Sequence, residues 1–258
     1  MNVMKLLRLD GRIALVTGGA GKYGSCIAQG LAEAGATVII ASRDIKKCKD
    51  KAERLRKQGL DINAEELDIT KEKSIKVLRD KIILDYKKID VLVNNAVGRS
   101  SVPSFAEHWE ESMKVNAVGL RLITQIFIEQ MIKQNCGNII NIASMYGMVG
   151  QDPRMYEGTG LESDSMGDYF FHKAGMINFT RYLATRYAKN NIRVNCISPG
   201  GLFADQPKKF LENYNRRVPL GRMADNDDIK GAVVYLASDA SNYVTGHNLV
   251  VDGGWTAW

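Results

Sequence analysis

A run of glycines between two predicted elements is the feature that most limits how this chain can fold. Residues 12–17 are mostly apolar and predict a buried strand, whereas residues 25–33 predict a helix. Between them, Gly19, Gly21 and Gly24 have the G-x-G-x-x-G spacing. Glycines let the backbone turn sharply and approach a pyrophosphate, which the free N–H groups of the following helix then bind. The order strand, turn, helix therefore predicts a dinucleotide-binding unit.

The alternation of strands and helices continues along the whole chain. It predicts an α/β fold: a single-domain, doubly wound parallel sheet (Rossmann-like) over residues 1–258, with about seven strands and helices on both faces. The further strands are predicted at residues 37–41, 64–68, 91–96, 138–144, 192–197 and 249–251, and the longer helices at 44–58, 71–84, 110–133 and 167–188.

Composition and charge exclude several classes of protein. The net charge is +6, but the basic residues are spread along predicted helices and form no patch of the kind that binds nucleic acid. No apolar run is long enough for a signal peptide or a membrane span. The 4 cysteines and 3 histidines are scattered, which argues against disulfides and a metal site. We expect a cytoplasmic protein with a small-molecule substrate and with no nucleic-acid or membrane partner.

The residues after the second strand bear on the choice of dinucleotide. Sites that prefer NAD usually carry an acid at this position, which binds the ribose 2′-hydroxyl. Here Ser42 and Arg43 follow the strand. An arginine would hold a 2′-phosphate by charge-assisted hydrogen bonds, with possible help from Lys22. The pattern favours NADP(H) and leaves NAD(H) possible; the alternative is a surface arginine that opens the helix at 44–58.

A tyrosine and a lysine lie one turn apart in a predicted helix. Tyr169 and Lys173 are spaced i, i+4, so their side chains share a face. An ammonium close to a phenol lowers the phenol pKa from its ordinary value of about 10. Such a pair can exchange a proton with a substrate in which an alcohol and a ketone interconvert. The alternative is a core aromatic residue followed by a lysine with a buried stem.

Polar residues at other predicted strand ends agree with a site at that edge of the sheet. Asn94 and Asn95 end the fourth strand and Ser144 ends the fifth. Ligands of open α/β sheets bind outside the carboxyl ends of the strands, so these are expected site residues. Asn116 lies among apolar residues of the helix at 110–133, where the alternative is a satisfied core amide.

Together these motifs resemble the short-chain dehydrogenase/reductase family over nearly the whole chain. The matching residues are Thr17–Gly24, Asp68, Asn94–Ala96, Asn116, Ser144, Tyr169–Lys173 and Pro199–Gly200, with Tyr243–Gly246 and Val251–Gly254 as a C-terminal signature.

The resemblance implies roles for four residues in the reaction. Tyr169 would be the general acid/base, and Lys173 would lower its pKa and hold the ribose hydroxyls. Ser144 would hydrogen-bond the reacting oxygen. Asn116 would anchor a water molecule in a proton relay.

The resemblance also implies the residues that would hold the dinucleotide. These are Gly18, Gly21, Tyr23 and Gly24 at the pyrophosphate, Asp68 and Ile69 at adenine, Asn95 and Ala96 at the adenosine ribose, and Tyr169, Lys173, Pro199, Gly200 and Leu202 towards the nicotinamide. Lys22, Ser42 and Arg43 are expected at the 2′-phosphate because of their charge or their position after the second strand.

The chain departs from the compact branch of this family in several places. Lys22 stands where the middle glycine is usual, so that the turn has the spacing of the extended, sugar-nucleotide branch. Val97 stands where a glycine is usual, and Ala204 stands near the position of a threonine that binds the carboxamide. Main-chain groups of Leu202 would then bind the carboxamide of the nicotinamide.

Two segments are expected to bind the substrate. Residues 145–168 form a long active-site insertion between Ser144 and Tyr169, and residues 201–217 form a flap over the nicotinamide. The insertion is rich in hydroxyls and acids with a single arginine, which suits a sugar, sugar acid or nucleotide-sugar better than a lipophilic ligand. The expected substrate-binding residues are Ser144, Tyr146, Arg154, Tyr156 and Tyr169.

The leading hypothesis is an NAD(P)-dependent oxidoreductase that interconverts a secondary alcohol and a ketone. The alternative is a nucleotide-sugar dehydratase or epimerase with an internally recycled dinucleotide, for which Glu157 or Asp168 would supply an additional acid. A non-catalytic dinucleotide-binding regulator is disfavoured because it need not keep the catalytic residues together. The family further implies a homo-oligomer, most commonly a tetramer, formed by the helices at 110–133 and 167–188 and by the C-terminal strands.

Overall fold

Seven parallel strands form one sheet in the computed structural model, which describes residues 2–161 and 166–258. The strand order is β3-β2-β1-β4-β5-β6-β7. Because the order reverses between β1 and β4, a crevice opens there at the carboxyl edge of the sheet. The predicted fold class and the predicted number of strands are confirmed.

The elements follow one another as a regular alternation of strand and helix. The strands are β1 (Ile13–Thr17), β2 (Thr37–Ser42), β3 (Ile62–Glu66), β4 (Val91–Asn94), β5 (Gly137–Ile142), β6 (Ile192–Pro199) and β7 (Asn248–Val251). The helices are α1 (Val3–Leu6), α2 (Lys22–Glu33), α3 (Ile45–Arg56), α4 (Glu72–Tyr86), α5 (Phe105–Met113), α6 (Leu120–Gln134), α7 (Asp168–Tyr187), α8 (Lys208–Arg217) and α9 (Lys230–Ala237).

Both faces of the sheet are covered, which explains why the central strands are apolar throughout. Successive side chains of a strand point to opposite faces. In β1, Ala14 and Val16 pack into one core with α2, α3 and α9. Ile13 and Leu15 pack into the other core with α4, α6 and the C-terminal half of α7. Within the described residues, no helix combines the length and apolarity that crossing a bilayer requires.

Several predicted elements end elsewhere in the structure. Strands β4 and β5 end at Asn94 and Ile142, two residues earlier than predicted, and two further elements differ as follows. The third strand pairs with β2 from Ile62, opposite Val38, to Glu66, opposite Ser42. It therefore ends two residues earlier than predicted. Asp68 lies beyond it, where its Oδ1 accepts hydrogen bonds from the Thr70 amide at 3.0 Å and hydroxyl at 2.7 Å and turns the chain. The predicted helix at 110–133 is α5 and α6 joined by a π-helical turn at Lys114–Gly119, in which Asn116 lies.

Candidate active site

A cavity of about 850 Å³ lies at the carboxyl edge of the sheet, where the crevice opens. It brings together most of the predicted site residues, namely Gly18, Gly21, Lys22, Tyr23, Gly24, Ser42, Asn95, Ala96, Ser144, Tyr146, Tyr156, Tyr169, Lys173, Pro199, Gly200 and Leu202. A smaller cavity of about 140 Å³ beside it is lined by Arg43, Asp68 and Ile69. Asn116 and Arg154 line neither cavity.

The glycine turn has no room for side chains, so it fits a bound pyrophosphate. Gly18 has a φ of +63°. A Cβ on Gly24 would lie 2.2 Å from the Gly18 carbonyl oxygen. Helix α2 begins after Gly21, which offers no side chain to cap the first N–H groups. Those N–H groups and the positive end of the helix dipole are the usual ligands of a phosphate.

Asn95 fixes the position of this turn relative to β4. Its Nδ2 donates to the carbonyl oxygens of Thr17 at 2.9 Å and Gly18 at 3.2 Å. On the other side, the Tyr23 hydroxyl donates to the Gly200 carbonyl oxygen at 2.9 Å. The turn is therefore tied to the ends of both β4 and β6.

The smaller cavity has one basic and one acidic wall. Arg43 is exposed, and among the described residues it has no carboxylate within ion-pair distance, which leaves its charge available to an anion. Burial would raise the pKa of Asp68, but hydrogen bonds from Thr70 and the charge of Lys71 outweigh it and hold this pKa below its usual range. Asp68 is therefore an ionised acceptor.

Tyr169, Ser144 and Lys173 meet in the main cavity. Lys173 is fully buried, and its Nζ donates to the Ile142 carbonyl oxygen at 2.6 Å and lies 5.7 Å from the Tyr169 ring centre. Gly147 makes this packing possible, because a Cβ there would lie 2.8 Å from the Lys173 backbone. The Ser144 Oγ accepts from the Tyr146 amide at 3.1 Å, so its own hydrogen is free to be donated.

The pKa of Tyr169 is shifted in the direction opposite to the one expected from a neighbouring Lys173. Burial raises the pKa of Tyr169, and the groups that oppose this rise are the Ser144 hydroxyl and the charge of Arg99. Burial also lowers the pKa of Lys173 to about 8. In the protein alone, Tyr169 is therefore a neutral phenol at neutral pH.

Asn116 is placed as a structural amide beside the site. Its Oδ1 accepts from the Gly98 amide at 2.9 Å, and its Nδ2 donates to the Gly98 carbonyl oxygen at 2.9 Å. These bonds use both ends of the side-chain amide. The residue thus holds the loop that follows β4 and does not face the cavity.

The insertion and the flap are joined, although Arg154 is not placed as expected. Its guanidinium pairs with both oxygens of Asp152 at 2.8 Å and is 76% exposed, away from the cavity. Asn213 in the flap donates to carbonyl oxygens of Arg154, Met155 and Glu157 at 3.0–3.3 Å. The predicted insertion at 145–168 also includes residues 162–165, which lie outside the described residues.

The wall formed by these two segments is less polar than predicted. Tyr146 and Tyr156 line the cavity together with Met145, Phe210 and Met223. The rings of Tyr156 and Phe210 meet edge to face, with centres 5.6 Å apart. In the described part of the insertion, Arg154 pairs with Asp152 and Gln151 donates to the Tyr156 hydroxyl, so the composition overstated the polarity of this wall.

Sequence reasoning also missed Arg99, Gln206 and His172. Arg99 lines the cavity, and its position directly after the Asn94–Gly98 segment was the available signal. Gln206 lines it too, and its Nε2 donates to the carbonyl oxygen of Leu202, the residue expected to serve the carboxamide, at 2.9 Å. His172 is buried against the Tyr169 ring, with ring centres 5.2 Å apart.

The charge of the main cavity has one sign. Lys22, Lys47, Arg99 and Lys173 line it, whereas no carboxylate does among the described residues. Like charges in a cleft raise the local concentration of ligands of the opposite sign. The cavity therefore suits anionic ligands.

Comparison with known proteins agrees with this geometry. A family model described as enoyl-(acyl carrier protein) reductase matches residues 23–256. The chain is 34% identical to the 3-oxoacyl-(acyl-carrier-protein) reductase FabG of Aquifex aeolicus, with 96% of this chain and 98% of the relative covered. It is 33% identical to a 2-dehydro-3-deoxy-D-gluconate 5-dehydrogenase of Dickeya dadantii, with 99% of each chain covered.

A solved structure is similar over the full length. It is a gluconate 5-dehydrogenase from Burkholderia cenocepacia in complex with NADP and tartrate, 30% identical, with a TM-score of 0.86 and 100% of each chain covered.

Proposed function

The chain belongs to the short-chain dehydrogenase/reductase family, and on that premise we propose that it is an NADP-preferring oxidoreductase that interconverts a secondary alcohol and a ketone on a sugar acid. One observation carries the choice of substrate class. The cavity that holds Tyr169 is lined by four cations and, among the described residues, by no carboxylate. Cofactor phosphates account for Lys22 and Lys47, and the proposed role beside Tyr169 accounts for Lys173. Arg99 remains for a carboxylate on the substrate.

The cofactor assignment rests on the shape and charge of the two cavities. The glycine turn would hold the pyrophosphate, and Ser42 and Arg43 would bind the 2′-phosphate, with Lys22 and Lys47 at the rim. Asp68 would accept a hydrogen bond from the adenine side. NADP(H), when bound, accepts or supplies the hydride.

The three catalytic groups have complementary tasks. Tyr169 is protonated at neutral pH, as a phenol with an ordinary or raised pKa is, so its O–H is available to a ketone oxygen during reduction. Ser144 donates a second hydrogen bond to the same oxygen and stabilises the charge that develops there. Lys173 keeps an ammonium beside the phenol and stabilises the phenolate that forms after the proton has left.

Other proteins support a polyhydroxylated acid as the substrate. The gluconate 5-dehydrogenase was crystallised with tartrate, a hydroxy diacid, and the Dickeya relative acts on a deoxygluconate. A dehydratase needs an additional acid at the reacting carbons. Glu157 is exposed outside the cavity, and Asp168 is bonded to Ser112 and His108, so the dehydratase alternative has less support.

A second candidate is reduction of a 3-oxoacyl thioester. The observation that favours it is the aromatic and methionine wall formed by Tyr146, Tyr156, Phe210 and Met223, which suits an acyl chain. The similarity to FabG of Aquifex aeolicus points the same way.

A substrate panel with one variant separates the two candidates. The panel contains D-gluconate, 2-dehydro-3-deoxy-D-gluconate, D-arabinitol and acetoacetyl-CoA, followed by NADPH absorbance in both directions. We expect turnover of a sugar acid, and we expect Arg99→Gln to raise its KM about 10- to 100-fold, the effect of one charge-assisted hydrogen bond. Arg56→Gln, at the far end of α3 and outside both cavities, is the control. Turnover of acetoacetyl-CoA alone would favour the second candidate.

We also propose how the chain is organised around this reaction. Residues 1–258 form a single dehydrogenase domain, in which residues 145–168 and 201–217 cover the substrate. A homotetramer is supported by exposed aromatic side chains of α5 and α7, such as Phe105 and Phe171, which are 61% and 63% exposed. A cytoplasmic location is supported by the four cysteines, all of which are free thiols.

A further inference from the structure

A buried carboxylate lies directly before the catalytic tyrosine but outside the cavity. Asp168 is the first residue of α7 and only 7% exposed. It accepts a hydrogen bond from the Ser112 hydroxyl and lies 3.2 Å from His108 Nε2. Burial would raise the pKa of Asp168, but these two partners outweigh it and hold the pKa below its usual range. The group is therefore ionised in the folded protein.

The hydrogen bonds continue from Asp168 to the loop that carries Arg99. The Ser112 Oγ accepts from Asn116 Nδ2 at 3.0 Å. Asn116 in turn binds both the amide and the carbonyl of Gly98, each at 2.9 Å. Gly98 precedes Arg99, and a Cβ on Gly98 would lie 2.8 Å from the Val115 side chain, so the loop is packed tightly here. A continuous series of hydrogen bonds thus joins Asp168, which precedes Tyr169, to Gly98, which precedes Arg99.

The charge on Asp168 determines which atoms donate and which accept along this series of hydrogen bonds. A hydroxyl has one hydrogen and two lone pairs. Because the carboxylate takes the hydrogen of Ser112, a lone pair is left to face Asn116, which therefore presents Nδ2 to Ser112 and Oδ1 to the Gly98 amide. Without an acceptor at residue 168, the hydrogen of Ser112 would be free to turn towards Asn116 Nδ2 and would oppose that arrangement.

We propose that Asp168 is a positioning residue for the reaction: acting through Ser112 and Asn116, it fixes the 97–100 loop, and with it Arg99, relative to Tyr169. The effect on the reaction rests on the proposed role of Arg99 at the substrate carboxylate. The effect on the loop does not. Tyr169 and Arg99 lie on separate elements, and a set spacing between them is what a substrate with both a carboxylate and a reacting carbon requires.

A matched pair of variants separates the effect of the Ser112 hydroxyl from the effect of side-chain volume. Thr and Val have the same shape, but only Ser112→Thr keeps the hydroxyl that links Asp168 to Asn116. Hydrogen exchange of the amides in residues 97–100 is measured first, because it needs no substrate. We expect Ser112→Val to speed exchange of the Gly98 amide about tenfold relative to Ser112→Thr, the loss of about one buried hydrogen bond. Asp168→Ala, which removes the acceptor, should act in the same direction.

Kinetics on the fastest sugar acid of the panel then test the effect on the reaction. We expect Ser112→Val to lower kcat/KM about tenfold relative to Ser112→Thr, with the Kd for NADPH the same within about twofold. Equal exchange in the two variants would overturn the proposal, as would faster exchange with unchanged kcat/KM. Failure of the proposed function shows differently: Arg99→Gln would leave the KM of every acid unchanged while the exchange result still held.

Discussion

Gly24 lies so close to the Gly18 carbonyl oxygen that a Cβ on Gly24 would stand 2.2 Å from it. The same Cβ would stand 2.7 Å from Nδ2 of Asn95, which binds the turn to β4. The main-chain shape of the dinucleotide site therefore depends on the absence of one methyl group.

We expect Gly24→Ala to open this turn and raise the Kd for NADPH at least about tenfold, a loss of about 1.4 kcal/mol. Gly231→Ala is the matched control, since Gly231 lies in α9, apart from the exposed aromatic side chains of α5 and α7, and an added Cβ would meet nothing outside its own helix within 4 Å. That variant should bind NADPH normally and be up to about 1 kcal/mol more stable, because alanine is the better helix former. Fluorescence titration measures both, and equal Kd values would show that the turn does not hold the cofactor.

Arg43 is expected to decide between the two dinucleotides. Arg43→Ala should weaken NADPH binding about 10- to 100-fold, since it removes a charge-assisted hydrogen bond to the 2′-phosphate, while NADH binding should change little. Arg56→Ala, at the far end of α3, removes the same charge without touching either cavity. A wild-type protein that binds NADH more tightly than NADPH would contradict the assignment.

His172 is expected to make the fold sensitive to acid. Burial and the charge of Lys173 lower the pKa of His172 to about 4, and in the described part of the chain neither ring nitrogen has a hydrogen-bond partner. The unfolded chain, with an ordinary pKa of about 6.5, binds the proton more readily, so stability is lost as the pH falls from about 6.5 to 4.

This loss should amount to about 2 kcal/mol between pH 7 and pH 5. His172→Leu removes the titrating group and should remove that part of the pH dependence. Urea unfolding of both proteins at the two pH values measures the difference. If wild type and variant lose stability in parallel, protonation of His172 is not the cause.

The sequence was sufficient to predict most of the fold because its signals are local. The apolar runs of β1, β2 and β5 are short and bounded by turns, and the glycine turn has a conformation that few other residues adopt. The end of β3 was misplaced because its register depends on pairing with β2, which local patterns do not encode. The π-helical turn at Lys114–Gly119 was missed because the apolar pattern runs through it.

The position of a residue in the cavity was predictable where a motif places it just after a strand, as at Ser144 and Asn95. It was not predictable where the result depends on long-range packing. Arg154 pairs with its neighbour Asp152, an outcome that composition could not distinguish from a cavity residue. The pKa of Tyr169 is dominated by burial, whereas spacing from Lys173 alone gave the opposite direction.

The central claim is that Tyr169 transfers the proton in a reaction that NADP(H) makes possible. The most direct test compares Tyr169→Phe with wild type for turnover of the best sugar acid and, separately, for NADPH binding. We expect kcat to fall about 100-fold or more, because one proton-transfer group is lost, with the Kd for NADPH nearly unchanged. A Tyr169→Phe enzyme with near-normal kcat would contradict the account.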